Sequence, residues 1–361
     1  MKVGTRVLTR ADGRLALSRQ AELVETIAEL RLRGREVLLV SSGAVGLGRD
    51  ALGLRDTPAE TRLRQACAAI GQSRLMASYQ EAFGRLGVLC AQVLLTQSDF
   101  AQRPHYLNLR STLRSLLGLG AVPIINENDV VSTDELAMEG GRVFGDNDKL
   151  SALLASKLDA DLLVLLTDVE GVFDRDPRGD EGAQLLRTIE DADKHTARLA
   201  GSSTGAGRGG MRSKVEAAGI ASRSGCHVVI ASGLVPGVLQ RVLEGHDQGT
   251  FFPARGALSA WRRWIAFASA PHGVLHLDHG AVEALLERGA SLLAAGVTRV
   301  EGEFKRGDVL ELRGPDGVAI GRGVAQLDST PCRAWVSGKA PEGARNRNAL
   351  VERDAMVLER G

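Results

Sequence analysis

Apolar runs and amphipathic segments alternate along the first 250 residues. From Ser18 to Arg33, Leu23, Ile27 and Leu30 recur at helical spacing with Glu and Arg between them, and Gly34 stops the pattern. Glu36 to Val40 is a short apolar run, predicted as a buried strand, that ends in Ser41-Ser42-Gly43-Ala44. The same alternation continues with helical patterns at Thr61–Phe83, Tyr106–Leu117, Lys149–Leu158 and Lys214–Ser224. Between them lie strand-like runs at Val88–Leu95, Val122–Ile125, Leu162–Leu166 and His227–Ile230. Strands that are apolar throughout, each separated from the next by a helix, predict a mainly parallel sheet covered on both faces: a three-layer αβα sandwich.

The rhythm changes after Phe252-Pro253. Val297–Val300, Val309–Leu312, Val318–Ile320 and Ala334–Val336 read as short strands, separated by turns such as Gly314-Pro315-Asp316-Gly317. A small all-β barrel or sandwich is therefore expected, with domains at 1–253 and 262–345. The tail from Pro341 has little periodicity and reads as partly loose.

In a parallel sheet, ligands bind beyond the carboxyl ends of the strands. Several runs end there in short polar or glycine-rich segments: Ser41-Ser42-Gly43-Ala44, Asn126-Glu127-Asn128-Asp129, Thr167-Asp168 and Ala231-Ser232-Gly233. Lys2 precedes Gly4-Thr5, and Gly209-Gly210-Met211-Arg212-Ser213-Lys214 is read as a small-residue loop opening a helix. Such loops let backbone N–H groups approach phosphate oxygens, and lysines beside them neutralise a phosphoryl group in flight. The amide and carboxylate groups of 126–129 suit a substrate ammonium. Asp148, in Gly145-Asp146-Asn147-Asp148, could equally be an N-cap for the helix that follows.

Other readings are weaker. Gly205-Ala206-Gly207-Arg208-Gly209-Gly210 matches GxGxxG in letters, but it follows no strand, so a dinucleotide fold is not expected. No Walker A sequence is present. His272, His276 and His279 have metal-like spacing but only Asp278 as a partner, so they are read as ordinary histidines.

The chain has 361 residues and a formal net charge of +1, which points to neither nucleic acid nor an anionic membrane. From Arg262 to Gly361 there are 14 Lys/Arg against 13 Asp/Glu, so RNA binding by the tail is not expected to be the main function. The four cysteines form no knuckle or redox pair, which fits a reducing cytoplasm. No run approaches the roughly 20 apolar residues of a membrane helix. The chain opens at Met1 close to a strand-to-loop junction, so the first strand is expected to be clipped.

Together these segments resemble the glutamate 5-kinases of the amino acid kinase family. The resemblance is carried by Lys2-Val3-Gly4-Thr5, Ser41 to Ala44, Ile125 to Asp129, Gly145 to Asp148, Leu166 to Val172, Asp176-Pro177-Arg178 and Gly209 to Lys214. The tail from 262 to 345 is similar to the PUA domain found on many of them. The resemblance implies ATP-dependent phosphorylation of the γ-carboxylate of L-glutamate to L-glutamyl 5-phosphate, the first step of proline biosynthesis. It implies that Lys2 and Lys214 contact the phosphates and that Asp148 holds them. Ser42, Asp129 and Asn147, with Asn126 as helper, would bind glutamate. Thr167, Asp168 and Arg208, Gly209, Gly210, Met211, Arg212 and Ser213 would line the ATP site. Mg²⁺ would travel on ATP, proline would inhibit by feedback, and the chain would form homo-oligomers. Arg208 and Ser213 stand where the family usually has Thr, and the 135–144 loop is longer than the family's.

Overall fold

The structure is a computed structural model. It describes residues 1–10, 13–96, 98–131, 147–177, 179–180, 182–192, 194–196, 206–256, 259–268, 271–339 and 349–358. The 135–144 loop therefore lies outside the described residues. The chain divides into two compact units, Met1–Ala257 and Leu258–Gly361.

The first unit is built on β1 (Lys2–Val3), β2 (Leu39–Ser41), β3 (Cys90–Leu95), β4 (Val122–Glu127), β5 (Leu162–Thr167), β6 (His227–Ser232) and β7 (Thr250–Phe252). They form one sheet in the order β3-β4-β2-β1-β5-β6-β7. All pairings are parallel except β6–β7. The helices are α1 (Thr5–Leu8), α2 (Leu17–Leu32), α3 (Ala44–Ala51), α4 (Thr61–Arg85), α5 (Ser98–Ala101), α6 (Arg103–Gly118), α7 (Asn147–Leu158), α8 (Ala206–Arg223) and α9 (Val238–Leu243).

Successive residues of a strand face opposite sides of the sheet. Val3, Leu39, Ile124, Val164 and Leu166 join one core with Leu23 and Ile27 of α2, Leu75, Tyr79 and Phe83 of α4 and Leu239 of α9. The residues between them, among them Val40, Ile125, Leu163 and Leu165, are equally buried on the other face. Burial on both faces is why these strands read as unbroken apolar runs.

Most predicted elements lie within a few residues of the observed ones, with five additions, α1, α3, α5, α9 and β7. α1 and α3 both begin directly at strand-end glycine loops, where the sequence shows turn residues rather than apolar periodicity. Gly43 adopts φ +114° as the residue before α3, a conformation that favours glycine. β1 is short, but it pairs on both sides: Lys2 with Val40 and Leu165, Val3 with Ser41 and Leu166.

The second unit holds α10 (Ala260–Arg263), β8 (Gly273–Leu277), α11 (His279–Leu286), β9 (Leu292–Leu293), β10 (Val297–Glu301), β11 (Val309–Arg313), β12 (Ala319–Ala325), α12 (Ser329–Val336) and β13 (Ala349–Leu358). Its sheet runs β10-β8-β11-β12-β13-β9. Ala334–Val336, expected as a strand, lies in α12. Asp328 precedes that helix, and Cys332, Trp335 and Val336 pack at helical spacing on the sheet core. The expected loose tail also holds a ten-residue strand, β13, whose Leu350, Val351 and Met356 are buried. Register shifts in its pairings with β12 and β9 break the alternation that would have revealed it.

Candidate active site

The carboxyl ends of β1, β2, β4 and β5 converge on the amino end of α7. β1 runs between β2 and β5, so Lys2 is only 3% exposed despite its charge. Asn147 and Asp148 form the first turn of α7, where free backbone N–H groups and the helix dipole favour a carboxylate. Asp148 is fully buried. Its Oδ1 lies 2.6 Å from Lys2 Nζ and its Oδ2 3.0 Å from Lys214 Nζ. Lys214 comes from α8, which packs beside α7, and its ammonium also donates to the Gly210 carbonyl at 3.2 Å. One buried carboxylate therefore holds two ammonium groups from distant parts of the chain. A lone carboxylate here would be strongly disfavoured; this one is paired twice, and the triad keeps one net positive charge.

Next to the triad runs a chain of amides. Asn147 Nδ2 donates to Ser42 Oγ at 2.8 Å and to Asn126 Oδ1 at 3.0 Å. Asn126 Nδ2 donates to Gln72 Oε1 at 3.0 Å. Ser42, Asn126, Asp129 and Asn147 line one cavity of about 610 Å³, together with Gly43 and Ala44 at the start of α3 and with Arg6, Arg10 and Arg49. Asp129 is half-buried. Desolvation pushes its carboxyl above the usual carboxylate range, and the nearby Arg64 guanidinium partly opposes this.

Thr167 and Asp168 close β5 on the other side. Thr167 Oγ1 donates to Asp168 Oδ1 at 3.2 Å, and Arg6 Nη1 donates to Asp168 Oδ2 at 2.8 Å. Burial alone would raise the Asp168 pKa, but hydrogen bonds from Arg6, its own backbone and Thr167 hold it below the usual range. Gly209 to Lys214, read as a loop opening a helix, lie within α8 itself, as does Arg208. Gly210 is exposed, while Arg212 Nε donates to Glu216 Oε1 at 2.7 Å along the helix. Sequence reasoning missed Gln72, Arg6, Arg10 and Arg49. Each sits in a helix or turn where a polar side chain reads as solvated, and no local signal marks it.

Comparison with known proteins makes this chain a kinase. Residues 1–232 match the amino acid kinase family, and residues 273–342 match the PUA domain. The chain is 46% identical over 365 residues to a glutamate 5-kinase of Myxococcus xanthus, covering 99% of this chain and 95% of that one. It is 49% identical over 365 residues to a glutamate 5-kinase of Chromohalobacter salexigens, again covering 99% and 95%. In backbone it is similar to the crystal structure of UMP kinase from Ureaplasma parvum, at 13% identity and a TM-score of 0.48, covering 70% of this chain and 96% of that one. The chain belongs to the amino acid kinase family and, within it, to the glutamate 5-kinases. No helix among the described residues is long and apolar enough to cross a membrane.

Proposed function

We propose that this protein transfers the γ-phosphoryl group of ATP to the γ-carboxylate of L-glutamate, forming L-glutamyl 5-phosphate for proline biosynthesis. The observation that carries the reading is the Lys2–Asp148–Lys214 triad beside the Ser42–Asn147–Asn126 amide chain.

In this reading residues 1–253 are the kinase domain and 262–345 the PUA domain. Glutamate lies in the cavity, with its ammonium toward Asp129 and Asn147. The guanidinium groups of Arg6, Arg10 and Arg49 make the same cavity suited to a dicarboxylate. ATP lies across the ends of β5 and α8, against Thr167, Asp168 and residues 208–213. A glutamate oxygen attacks the γ-phosphorus, and the bond to the β-phosphate oxygen breaks as ADP leaves. The attacking carboxylate is already ionised near neutral pH, so the step needs no general base. What it needs is alignment and neutralisation of charge on the transferring group, which Lys2 and Lys214 supply. Asp148 holds both ammonium groups in place, one on each of its oxygens.

Mg²⁺ suits the nucleotide phosphates better than this protein's own groups, because both Asp148 oxygens are already taken by lysines. The ion supplies charge neutralisation on the β- and γ-phosphates. L-Proline, smaller than glutamate but sharing its α-amino acid end, fits the same cavity as a feedback inhibitor. A cytoplasmic location and assembly into a homo-oligomer complete the reading.

The test is ADP release with ATP and Mg²⁺, with and without L-glutamate, with hydroxylamine present to trap an acyl phosphate. Glutamate-dependent hydroxamate supports the reading. Folded protein that turns over ATP equally with and without glutamate overturns it.

A further inference from the structure

Three side chains of α4 lie behind the cavity, next to two residues that line it, Asp129 and Asn126, and to Ser41, which precedes a third. Arg64 is the charged neighbour of Asp129. Gln72 Oε1 accepts the hydrogen bond from Asn126. The Tyr79 hydroxyl shares a 2.9 Å hydrogen bond with Ser41 Oγ, one residue before Ser42. The steps between them are eight and seven residues (72 − 64 and 79 − 72), about two helical turns each, so all three project toward the same side. α4 lies this close to α3 because two glycines allow it. A Cβ at Gly71 would stand 1.7 Å from the Ala44 carbonyl oxygen, and one at Gly48 would stand 1.8 Å from the Cys67 carbonyl oxygen.

Gln72 is the middle contact, and it joins the Glu127 N–H in fixing the Asn126 amide, Gln72 Oε1 taking the Nδ2 side and the Glu127 N–H the Oδ1 side. Gln72 Oε1 turns Asn126 Nδ2 toward α4. Asn126 Oδ1 then faces the other way and accepts from Asn147 Nδ2 at 3.0 Å and from the Glu127 N–H at 2.9 Å. Asn147 Nδ2 is thereby committed to Asn126 and Ser42. Asn147 Oδ1 is left buried without a hydrogen-bond partner among the described residues. A buried, unpaired acceptor in a cavity that Asp129 also lines is suited to a substrate ammonium.

We infer that Gln72 is a positioning residue of the acceptor site: by fixing the Nδ2 side of the Asn126 amide, it presents Asn147 Oδ1 to the ammonium group of the substrate. This rests on the reading of the cavity as the glutamate site. Gln72 acts only through Asn126 and touches no reacting atom.

Two variants of the full chain test it. Gln72→Met keeps the volume and removes the acceptor. Gln72→Glu keeps an acceptor for Asn126. In Gln72→Met the KM for glutamate should rise about five- to tenfold, the size of one lost buried hydrogen bond. The KM for ATP should stay within about twofold, and the melting temperature should move by no more than about 3 °C. Gln72→Glu should bring the KM for glutamate back to within about threefold of the original protein, because it keeps the acceptor. An unchanged KM for glutamate in Gln72→Met overturns the inference. So does Gln72→Glu being as impaired as Gln72→Met, or a parallel rise in both KM values. Failure of the unaltered protein to use glutamate would overturn the functional reading, and this inference with it.

Discussion

The Lys214 ammonium donates to Asp148 Oδ2 at 3.0 Å, opposite the oxygen that pairs with Lys2 at 2.6 Å. A single fully buried carboxylate thus links the central strand of the sheet to α8. Asp148→Asn would keep the shape and remove the charge, leaving two ammonium groups facing each other in a poorly solvated site. Breaking a buried pair in this way costs about 3–5 kcal/mol. The variant should therefore lose both stability and turnover, measured by urea unfolding and ADP release. A stable Asp148→Asn protein with full turnover would remove Asp148 from both roles.

Lys214 is less buried than its partner, with 12% of its side chain exposed. Lys214→Ala should therefore depress turnover far more than folding. The expected loss in kcat is about 10²–10³-fold, typical of removing one group that stabilises transition-state charge. An unchanged turnover number would place Lys214 outside the site.

Asp129 lines the cavity proposed to hold glutamate and makes no ion pair with the triad lysines, both of which pair with Asp148. Asp129→Ala should raise the KM for glutamate and leave the KM for ATP nearly intact. The carboxyl pKa is raised above its usual value by burial. As pH falls, Asp129 is therefore protonated earlier than an ordinary aspartate, and kcat/KM for glutamate should fall with it. That acid limb should move in Asp129→Asn and stay put in Lys214→Ala.

Gly71 and Ala44 set the distance between α4 and α3. Gly71→Ala would drive a methyl group into the Ala44 carbonyl oxygen and to within 2.6 Å of the Gly48 nitrogen. Both obstacles are backbone, so the helices must move apart. A loss of about 1–3 kcal/mol is expected, together with a higher KM for glutamate, because Gln72 moves with its helix. A variant with the original melting temperature would show that the helices can separate freely.

Lys157 provides a pH signature of its own. It is 1% exposed, and its ammonium lies 3.3 Å from the Tyr106 ring centroid and 5.4 Å from that of Phe100. Its Nζ has no hydrogen-bond acceptor among the described residues. Burial, then the nearby Arg110, lower its pKa from 10.5 to about 7, against a raising effect from Asp99. Between those two values the unfolded chain keeps the proton that the folded one has lost, so this group makes stability rise with pH. Below about 7 both states are protonated and the full cost of burying the charge applies. Lys157→Met should therefore be more stable than the original protein at pH 6.5, by about 1–4 kcal/mol, with the gap closing toward pH 10. A gap that is constant with pH would show that Lys157 does not titrate in this range.

Much of this protein is legible in its sequence. Strands buried on both faces must be apolar at every position, so β4, β5 and β6 show themselves as continuous runs. Residues at their carboxyl ends cannot be apolar if they meet a ligand, so Asn126, Asp129 and Thr167 stand out against them. Lys2, Ser42, Asn147, Asp148 and Lys214 were each visible as members of a local motif. What the sequence could not show is which of these meet. The Lys2–Asp148–Lys214 triad exists only because β1 lies inside the sheet and α8 packs against α7. Gln72, Arg64 and Tyr79 carry no local mark at all, since a polar residue on a long amphipathic helix reads as solvated until its neighbours are known. Periodicity reports which face of an element is buried, because burial repeats along the chain. It does not report what a buried or bridging polar group touches, because that partner lies far away in sequence and is brought near only by tertiary packing.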